Sequence, residues 1–441
     1  MSEIRTLPSR MTGLPVRAVE VVVKRGADSG RKIIANGASL TIGTAPGNDL
    51  VLADPKVSRY HLELAAVGDR IRVADKDSTN GTQIGPVVVR GAAVTVPPGT
   101  MVGVGDSTLH IADGGLVMLE LHEDDSIGGL VGRSAGMRQL MARLGRLAAA
   151  DVPVLVLGES GTGKELVARA LHDLGPRAEG PFVTVDCGAL APTLVASELF
   201  GHERGAFTGA ERAHAGAFER AHGGTLFLDE LGELPEPIQV ALLGAIDRGR
   251  FRRVGGTREI DVDLRIVCAT NRDLRARVNA GTFRLDLYHR LAVVLLEIPP
   301  LRERSVDVVP LVEHFLAQAG RPMPAHQLFG AEDLGRLERH TWPGNVRELR
   351  NVVLRALATG EPPRPDPVQQ ALAAATAQSD PVDALVGQPY REARRALLDH
   401  FEVRYLRALL ERTGGNVRAA ARMAEMDRSY LTELLRRHGL A

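Results

Sequence analysis

The chain is poor in lysine. Of its 54 basic residues only five are lysine (Lys24, Lys32, Lys56, Lys76 and Lys164), and the other 49 are arginine. After position 76 a single lysine serves 365 residues. A chain that writes nearly every positive charge as arginine and keeps one ammonium draws attention to the neighbours of Lys164. Cysteine is scarcer still. Cys187 and Cys268 are the only two, which excludes a disulfide framework, and no Cys/His cluster has metal-ligand spacing. Both are expected in the core. No apolar run approaches the ~18 residues of a membrane-crossing helix. The opening MSEIRTLPSR lacks the apolar core of a secretory signal. The expected location is therefore cytoplasmic, with no membrane partner. Net charge is also absent, 54 basic residues against 54 acidic ones. No global field draws the chain to nucleic acid, although a local basic module stays open.

What is present is ordinary globular composition, 44% hydrophobic and 24% charged. At roughly 100–200 residues per domain, 441 residues suggest two to four domains. Residues 17–112 read as all-β. Short apolar runs at 17–23, 39–42, 62–64, 71–73, 87–89, 101–104 and 108–111 alternate with Gly, Asp, Asn and Pro, the rhythm of a sandwich. Residues 113–129, with glycines and acids, read as a linker. From 130 the pattern changes. Residues 154–157 are continuously apolar, as a strand buried on both faces should be, and a helical stretch at 166–174 follows. Two more such strands are expected at 225–228 and 264–269, giving a parallel sheet with helices on both faces. Residues 300–358 look helical, 359–390 read as a second linker, and 391–441 hold three amphipathic helical segments.

Lys164 sits in Gly158-Glu159-Ser160-Gly161-Thr162-Gly163-Lys164-Glu165. This is the spacing of a phosphate loop, placed between a buried strand and a helix as the motif requires. Glycines let backbone N–H groups converge on phosphate oxygens, and the helix N-terminus favours negative charge. A compact ammonium suits the β/γ-phosphates in a way that a guanidinium does not. The usual Ser/Thr after the lysine is Glu165 here. In residues 225–230 an apolar strand delivers Asp229 toward Mg²⁺ and Glu230 toward the attacking water.

With these motifs, residues 130–358 resemble the AAA+ domain of bacterial sigma-54-dependent transcription activators, the enhancer-binding proteins. The most specific feature is Gly205-Ala206-Phe207-Thr208-Gly209-Ala210. In that family the hexapeptide is the loop tip that touches the sigma factor. The resemblance further implies that Asn271 senses the γ-phosphate and that Arg284 and Arg290 are arginine fingers supplied to a neighbouring subunit. Arg347, within residues 342–349 (WPGNVREL), would be a second sensor on the helical lid. Two positions depart from this family's pattern. Leu285 replaces a frequent Glu. Asp186 replaces an Asn that holds the catalytic Glu.

Residues 391–441 carry eleven arginines and seven acids, a net +4 hidden inside the balanced whole. They resemble the Fis-type helix-turn-helix that ends most activators of this family. Asn416 is placed to cap the second helix, and Ala419, Ala420 and Ala421 to permit close packing. The groove-facing set is expected to be Arg428, Ser429, Tyr430, Thr432 and Arg436, with Arg437 and His438 toward phosphate. Residues 17–112 resemble a forkhead-associated (FHA) domain, a β-sandwich that binds phosphothreonine peptides. The matching pieces are residues 42–43, 57–61 and 77–82; one position departs, Thr44 standing where that family usually has a phosphate-contacting Arg. Ser58 and Arg59 would hold the phosphate, His61 would brace the loop, Asn80 would bond the peptide backbone, and Gly81 would allow a tight turn.

The expected protein is thus multidomain: an all-β FHA sandwich, an α/β AAA+ P-loop domain with a helical lid, and an all-α helix-turn-helix. By resemblance it is an ATP- and Mg²⁺-dependent activator that assembles as a homo-oligomer, a hexamer. It would bind double-stranded upstream DNA and remodel the sigma-54 RNA polymerase closed complex. Its FHA input would come from a phosphothreonine protein or a Ser/Thr kinase. Two other readings are carried: a non-transcriptional AAA+ remodeller, and an FHA scaffold with a regulatory ATPase.

Overall fold

The computed structural model describes residues 12–360 apart from 36, 38, 190 and 191, and then positions 406, 413, 417, 421, 426, 431, 432 and 435. The chain divides into two units, Met1–Arg364 and Pro365–Ala441.

The first unit opens with eleven strands: β1 (Gly13–Arg25), β2 (Lys32–Ile34), β3 (Ser39–Gly43), β4 (Leu50–Val51), β5 (Leu62–Val67), β6 (Arg70–Asp75), β7 (Thr82–Ile84), β8 (Val87–Val89), β9 (Ala93–Val96), β10 (Thr100–Val104) and β11 (Ser107–Glu120). They form two sheets, ordered β2-β1-β11-β10-β7-β8 and β4-β3-β5-β6-β9. The alternation in β1 explains the layering: Val19, Val21 and Val23 point inward and are essentially inaccessible. They meet Leu40, Ile42, Leu62, Leu64 and Val73 from the facing sheet.

The expected linker at 113–129 is corrected by the structure. β11 runs on to Glu120 and pairs with β1 back to Gly13, so the two form a ribbon projecting from the sandwich. Gly114 and Gly115 mark an irregularity in the ladder rather than a turn: the register shifts between Arg17 and Val19 opposite them. Gly115 stands at φ 82°, and a Cβ on Gly114 would lie 3.0 Å from the Ile34 side chain. The ribbon ends on the next domain, where the His122 N–H donates to Arg138 O (2.9 Å) and Arg138 Nε donates back to His122 O (2.8 Å). A small hairpin, β12 (Ser126–Ile127) and β13 (Leu130–Val131), follows.

The α/β domain contains α1 (Ala135–Ala148), β14 (Val154–Leu157), α2 (Lys164–Asp173), β15 (Phe182–Asp186), α3 (Pro192–Phe200), α4 (Ala217–Arg220), β16 (Thr225–Asp229), α5 (Glu236–Arg248), β17 (Arg250–Arg252), β18 (Glu259–Asp261), β19 (Arg265–Thr270), α6 (Leu274–Asn279), α7 (Leu285–Leu291) and β20 (Val294–Glu297). Five strands make a parallel sheet ordered β15-β16-β19-β14-β20. The three strands expected from sequence are its centre. Val154 and Val156 face one helical layer with Phe227, Val267 and Ala269. Leu155, Leu226, Leu228 and Cys268 face the other. Burial on both faces explains the uninterrupted apolar runs.

The lid is helical: α8 (Val308–Gln318), α9 (Ala325–Leu328), α10 (Ala331–Arg339) and α11 (Asn345–Thr359). It packs around Trp342, whose indole is fully buried and donates to Leu337 O at 2.8 Å. In the second unit, Leu406, Ala421, Leu431 and Leu435 form a small buried cluster with Val417 and Met426 against it.

Candidate nucleotide site

The phosphate loop turns between β14 and α2. Gly161 (φ 77°) and Gly163 (φ 109°) stand in the left-handed region, which other residues enter only at a cost. Lys164 is the first residue of α2 and only 6% exposed. Its Nζ donates to Gly158 O at 3.1 Å and lies 3.6 Å from Glu230 Oε1. A nearly buried ammonium with three donors and so thin a shell is poised for an anion. Thr162 Oγ1 donates to Glu159 O (2.7 Å), tightening the loop. Glu165 is exposed on the first turn of α2. A cavity of about 460 Å³ opens here, lined by residues 160–166, Asp229, Glu230 and, from the lid, Arg347 and Arg350.

β16 delivers the acidic pair. The Glu230 N–H donates to Asp229 Oδ1 (2.9 Å), and Glu230 takes φ 50° at the strand end. Burial pushes the Asp229 carboxyl above its ordinary range, with the Glu230 N–H and Lys164 pulling the other way. Asp186 is directly beside Asp229 in the sheet register. Its Oδ1 is occupied in accepting the N–H groups of Gly188 (2.9 Å) and Ala189 (3.1 Å). Both cysteines are buried as expected. Burial pushes the Cys187 thiol up to about 12 and Cys268 well above the usual thiol range.

The lid clasps the phosphate loop through residues that sequence reasoning missed. Glu159 accepts two bonds from Arg302 (2.8 and 2.6 Å). Asn345 Nδ2 donates to Glu159 Oε2 and to Ser160 O, both at 3.1 Å. Arg304, 2% exposed, reaches Thr162 O at 3.3 Å. Arg347 lies on the loop from the lid side: Nη1 reaches Ser160 Oγ (3.1 Å), and its N–H donates to Gly161 O (3.2 Å). The signal for Asn345 was in the motif itself. An asparagine after a glycine readily takes the left-handed conformation it adopts here, φ 51°.

Three expected residues stand apart from this cavity. Asn271, at the end of β19, lines a neighbouring cavity of about 500 Å³ between the sandwich and the α/β domain, and only its N–H approaches Glu230 (3.5 Å). Arg284 is paired with Asp286 (2.7 Å) and Arg290 with Asp247 (2.6 Å). The loop 205–210 projects on its own. Gly205 (φ 82°) and Gly209 (φ 101°) are surrounded by open space. Phe207 is 39% exposed and meets the His202 ring edge-on at 4.9 Å. Thr208 is exposed at the tip, whereas Ala206 is half-buried and Ala210 is buried at the loop's foot.

At the sandwich end, the Ser58 N–H donates to His61 Nδ1 (3.0 Å), leaving Nε2 to donate to Gly81 O (3.2 Å). His61 thus braces two loops, and its burial lowers its pKa. Ser58 Oγ accepts the Thr79 N–H (2.9 Å), and Asn80 Nδ2 donates to Lys56 O (2.7 Å). Arg59 is exposed. The Thr44 N–H donates to Ser58 O (3.1 Å). Of the expected DNA-reading set only Thr432 is described, half-buried. Arg428, Ser429, Tyr430, Arg436, Arg437 and His438 lie outside the described residues, as does the linker beyond residue 360.

A phosphate loop on the fourth strand of this sheet order, an acidic strand two places away across β19 and a helical lid folded onto the loop define a P-loop ATPase of the AAA+ class. Residues 130–297 match the family model of the sigma-54 interaction domain, and residues 302–383 that of the AAA+ ATPase lid domain. Residues 22–115 match the model of the cytoplasmic domain of an inner membrane component of the type III secretion system. The transcriptional regulatory protein GlrR of Escherichia coli K12 is 45% identical over 320 residues, covering 70% of this chain and 68% of the relative. The chain belongs to the sigma-54-dependent, NtrC-like family of transcriptional regulators. The DNA-binding transcriptional regulator NtrC of Rhizobium meliloti is 52% identical over 238 residues, 54% of this chain and 49% of the relative. The chain thus aligns with about half the length of that relative. Among solved structures, NtrX from Brucella abortus in complex with ATP is 38% identical with TM-score 0.49, covering 70% of this chain and 69% of that one. An FHA domain studied for phosphothreonine-dependent interactions is 28% identical with TM-score 0.20, covering 22% of this chain and 95% of that one. Among the described residues no helix is long and apolar enough to cross a membrane.

Proposed function

We propose that the chain hydrolyses ATP with Mg²⁺ to remodel sigma-54 RNA polymerase at promoters, under the control of phosphothreonine signals read by its FHA-like domain. The observation that carries the ATPase reading is Lys164, an ammonium almost out of water, held by one carbonyl and one carboxylate at 3.6 Å. A phosphate oxygen completes that shell. Among the described residues no group of three or more His, Cys, Asp or Glu could hold a metal alone. Mg²⁺ would be held by Asp229 and would neutralise charge on the phosphates.

Bound ATP supplies the phosphoryl group. Residues 158–165 hold its phosphates through loop N–H groups and Lys164, and Arg347 approaches from the lid. Phosphate competes with Glu230 for Lys164, which frees the Glu230 carboxylate to orient water and take its proton. Asn271 reports on that water from the next strand. Arg284 and Arg290 do not line their own chain's cavity, and their exposed ion pairs are of the kind that exchange easily. They suit a neighbour in a ring, a hexamer in this reading. Gly205–Ala210 is the contact with sigma-54, because its tip exposes Phe207 and Thr208 on a glycine-flanked turn. Arg428, Ser429, Tyr430, Thr432, Arg436 and Arg437 are the DNA-reading residues of a C-terminal module that grips upstream DNA. Ser58, Arg59 and Asn80 hold a phosphothreonine peptide.

ATP turnover of the wild type against Lys164→Ala tests the first step. Turnover should vanish in the variant, and equal rates would overturn the mechanism. For the input domain, peptides with and without phosphate are titrated against wild type and Arg59→Ala. A phosphate preference lost in the variant supports the reading, and no preference in the wild type ends it.

A further inference from the structure

The loops assigned to phosphopeptide reading do not all face open solvent. Part of that edge sits on α6 and α7 of the ATPase domain. Asn279, the last residue of α6, is inserted between two sandwich loops. Its Oδ1 accepts the Tyr60 N–H (3.3 Å), and its Nδ2 donates to Tyr60 O (2.6 Å) and Lys76 O (3.0 Å). A carboxamide carries the donor and acceptor of a peptide unit, so one side chain binds both loops as a backbone segment would. Arg59 Nη1 reaches the Val278 carbonyl at 3.4 Å, at the negative end of α6. Lys76 Nζ pairs with Asp273, the N-cap of the same helix, at 3.3 Å. The Tyr60 ring, 1% exposed, packs edge-on against Tyr288 of α7 at 5.3 Å.

The contact is incompletely satisfied. Six buried side-chain polar atoms among the described residues lack a partner, and three of them are here: Asn48 Oδ1, Tyr60 Oη and His289 Nε2. A joint of that kind carries desolvation that its own bonds only partly offset. Groups meant to stay together are not usually left so. The surface also draws on the phosphate cation: Arg59 Nη1 is turned onto the α6 carbonyl, and a two-pronged grip on a phosphoryl group through both Nη atoms has to take that donor back. The segment it covers runs between Asn271 and Arg290.

We propose that the reading edge of the sandwich is a docking surface whose occupant in the free protein is the chain's own α6–α7 pair, and that a phosphothreonine peptide displaces it. The competition rests on the phosphothreonine reading above, whereas the dock itself does not. Peptide binding then releases the helix pair that carries Arg284 and Arg290, and peptide and dock oppose each other by the same factor.

The probe is a fluorescent phosphothreonine peptide pool, randomised around the phosphoresidue, titrated into the full chain. Asn279→Ala removes three bonds of the dock and none of the peptide site. It should tighten apparent binding by about tenfold, because the competent fraction rises. Tyr60→Phe removes an orphaned hydroxyl, steadies the dock and should weaken binding. A second readout needs no peptide affinity: a short bis-maleimide joining Gly47→Cys and His289→Cys, sites in contact across the dock. Cross-linking should slow in Asn279→Ala and on adding the pool. Equal affinity in all three chains, or cross-linking indifferent to Asn279→Ala, would overturn the proposal. If no form binds the pool, the phosphothreonine reading and the competition both fall, and the cross-linking rate still decides the dock.

Discussion

Replacing Asn345 by alanine should loosen the lid and weaken nucleotide binding by separable amounts. Asn345 is fully buried and sits at φ 51°. Its Oδ1 accepts the Leu301 N–H at 2.8 Å, and its Nδ2 bonds Glu159 and Ser160. Alanine leaves the Leu301 donor buried and unpaired, a cost of about 1–3 kcal/mol. The left-handed conformation without a short polar side chain adds about 1–2 kcal/mol. For a domain of this size the sum lowers the unfolding midpoint by about 4–20 °C. The phosphate loop separately loses two tethers, each worth about 1 kcal/mol net, which weakens nucleotide binding by roughly ten- to thirtyfold. Thermal unfolding and titration with a fluorescent ADP analogue measure the two effects. Glu159→Ala separates them. It removes the carboxylate that tethers the phosphate loop to Asn345 and Arg302 and leaves the Asn345 acceptor for Leu301 in place. It should hold most of the midpoint and lose part of the affinity. If Asn345→Ala retains both wild-type values, this side chain does not hold the lid on the loop and the reasoning fails.

Two further expectations concern other parts of the chain. Thr208→Ala should leave ATP turnover near wild type and reduce promoter opening at least about tenfold, as for an interface anchor. Normal opening in a sigma-54 transcription assay would dismiss the loop assignment. Asp75 is buried, which raises its pKa. Bonds from Ser78, Thr82 and Gly91 outweigh that and hold it below its ordinary 3.8. Its folded value being depressed, it stabilises the sandwich above 3.8, and that contribution is lost as pH falls through the folded value. The midpoint of the sandwich should drop on acidification, and Asp75→Asn should flatten that dependence. An unchanged slope in the variant would place the acid sensitivity elsewhere.

Legibility in the sequence followed the range over which each cause acts. Residues 154–157 announced a strand because both faces are buried, so every position had to be apolar. Lys164 was legible because phosphate binding concentrates its determinants in eight consecutive residues. The edge strands β15 and β20 were not, since Phe182 and Val183 are only half-buried and alternation over four or five residues resembles loop. The ribbon was hidden by Gly114 and Gly115, which look like a turn and are an irregularity in a ladder whose partner lies about a hundred residues earlier. The clasp was the least legible. Arg302 meets Glu159 across 143 positions and Asn345 meets it across 186, and one arginine among 49 carries no local mark of such a partner.

The ribbon changes what a binding measurement on the whole chain means. A coil at 113–129 would let an undocked sandwich wander. Paired strands anchored at His122 and Arg138 hold its loop edge near α6–α7 even when the contact opens. The effective concentration of the helix pair at the peptide site is then in the millimolar range of a short tether or above it. An outside peptide must compete with that, so its apparent affinity falls by the docked fraction rather than by any fault in the site. Weak phosphopeptide binding by the full chain would therefore not by itself indict Thr44, the position where the family's arginine is missing. The ratio between wild type and Asn279→Ala separates the two causes. A deficient phosphate site weakens both chains equally, and a competing dock weakens only the chain that can close.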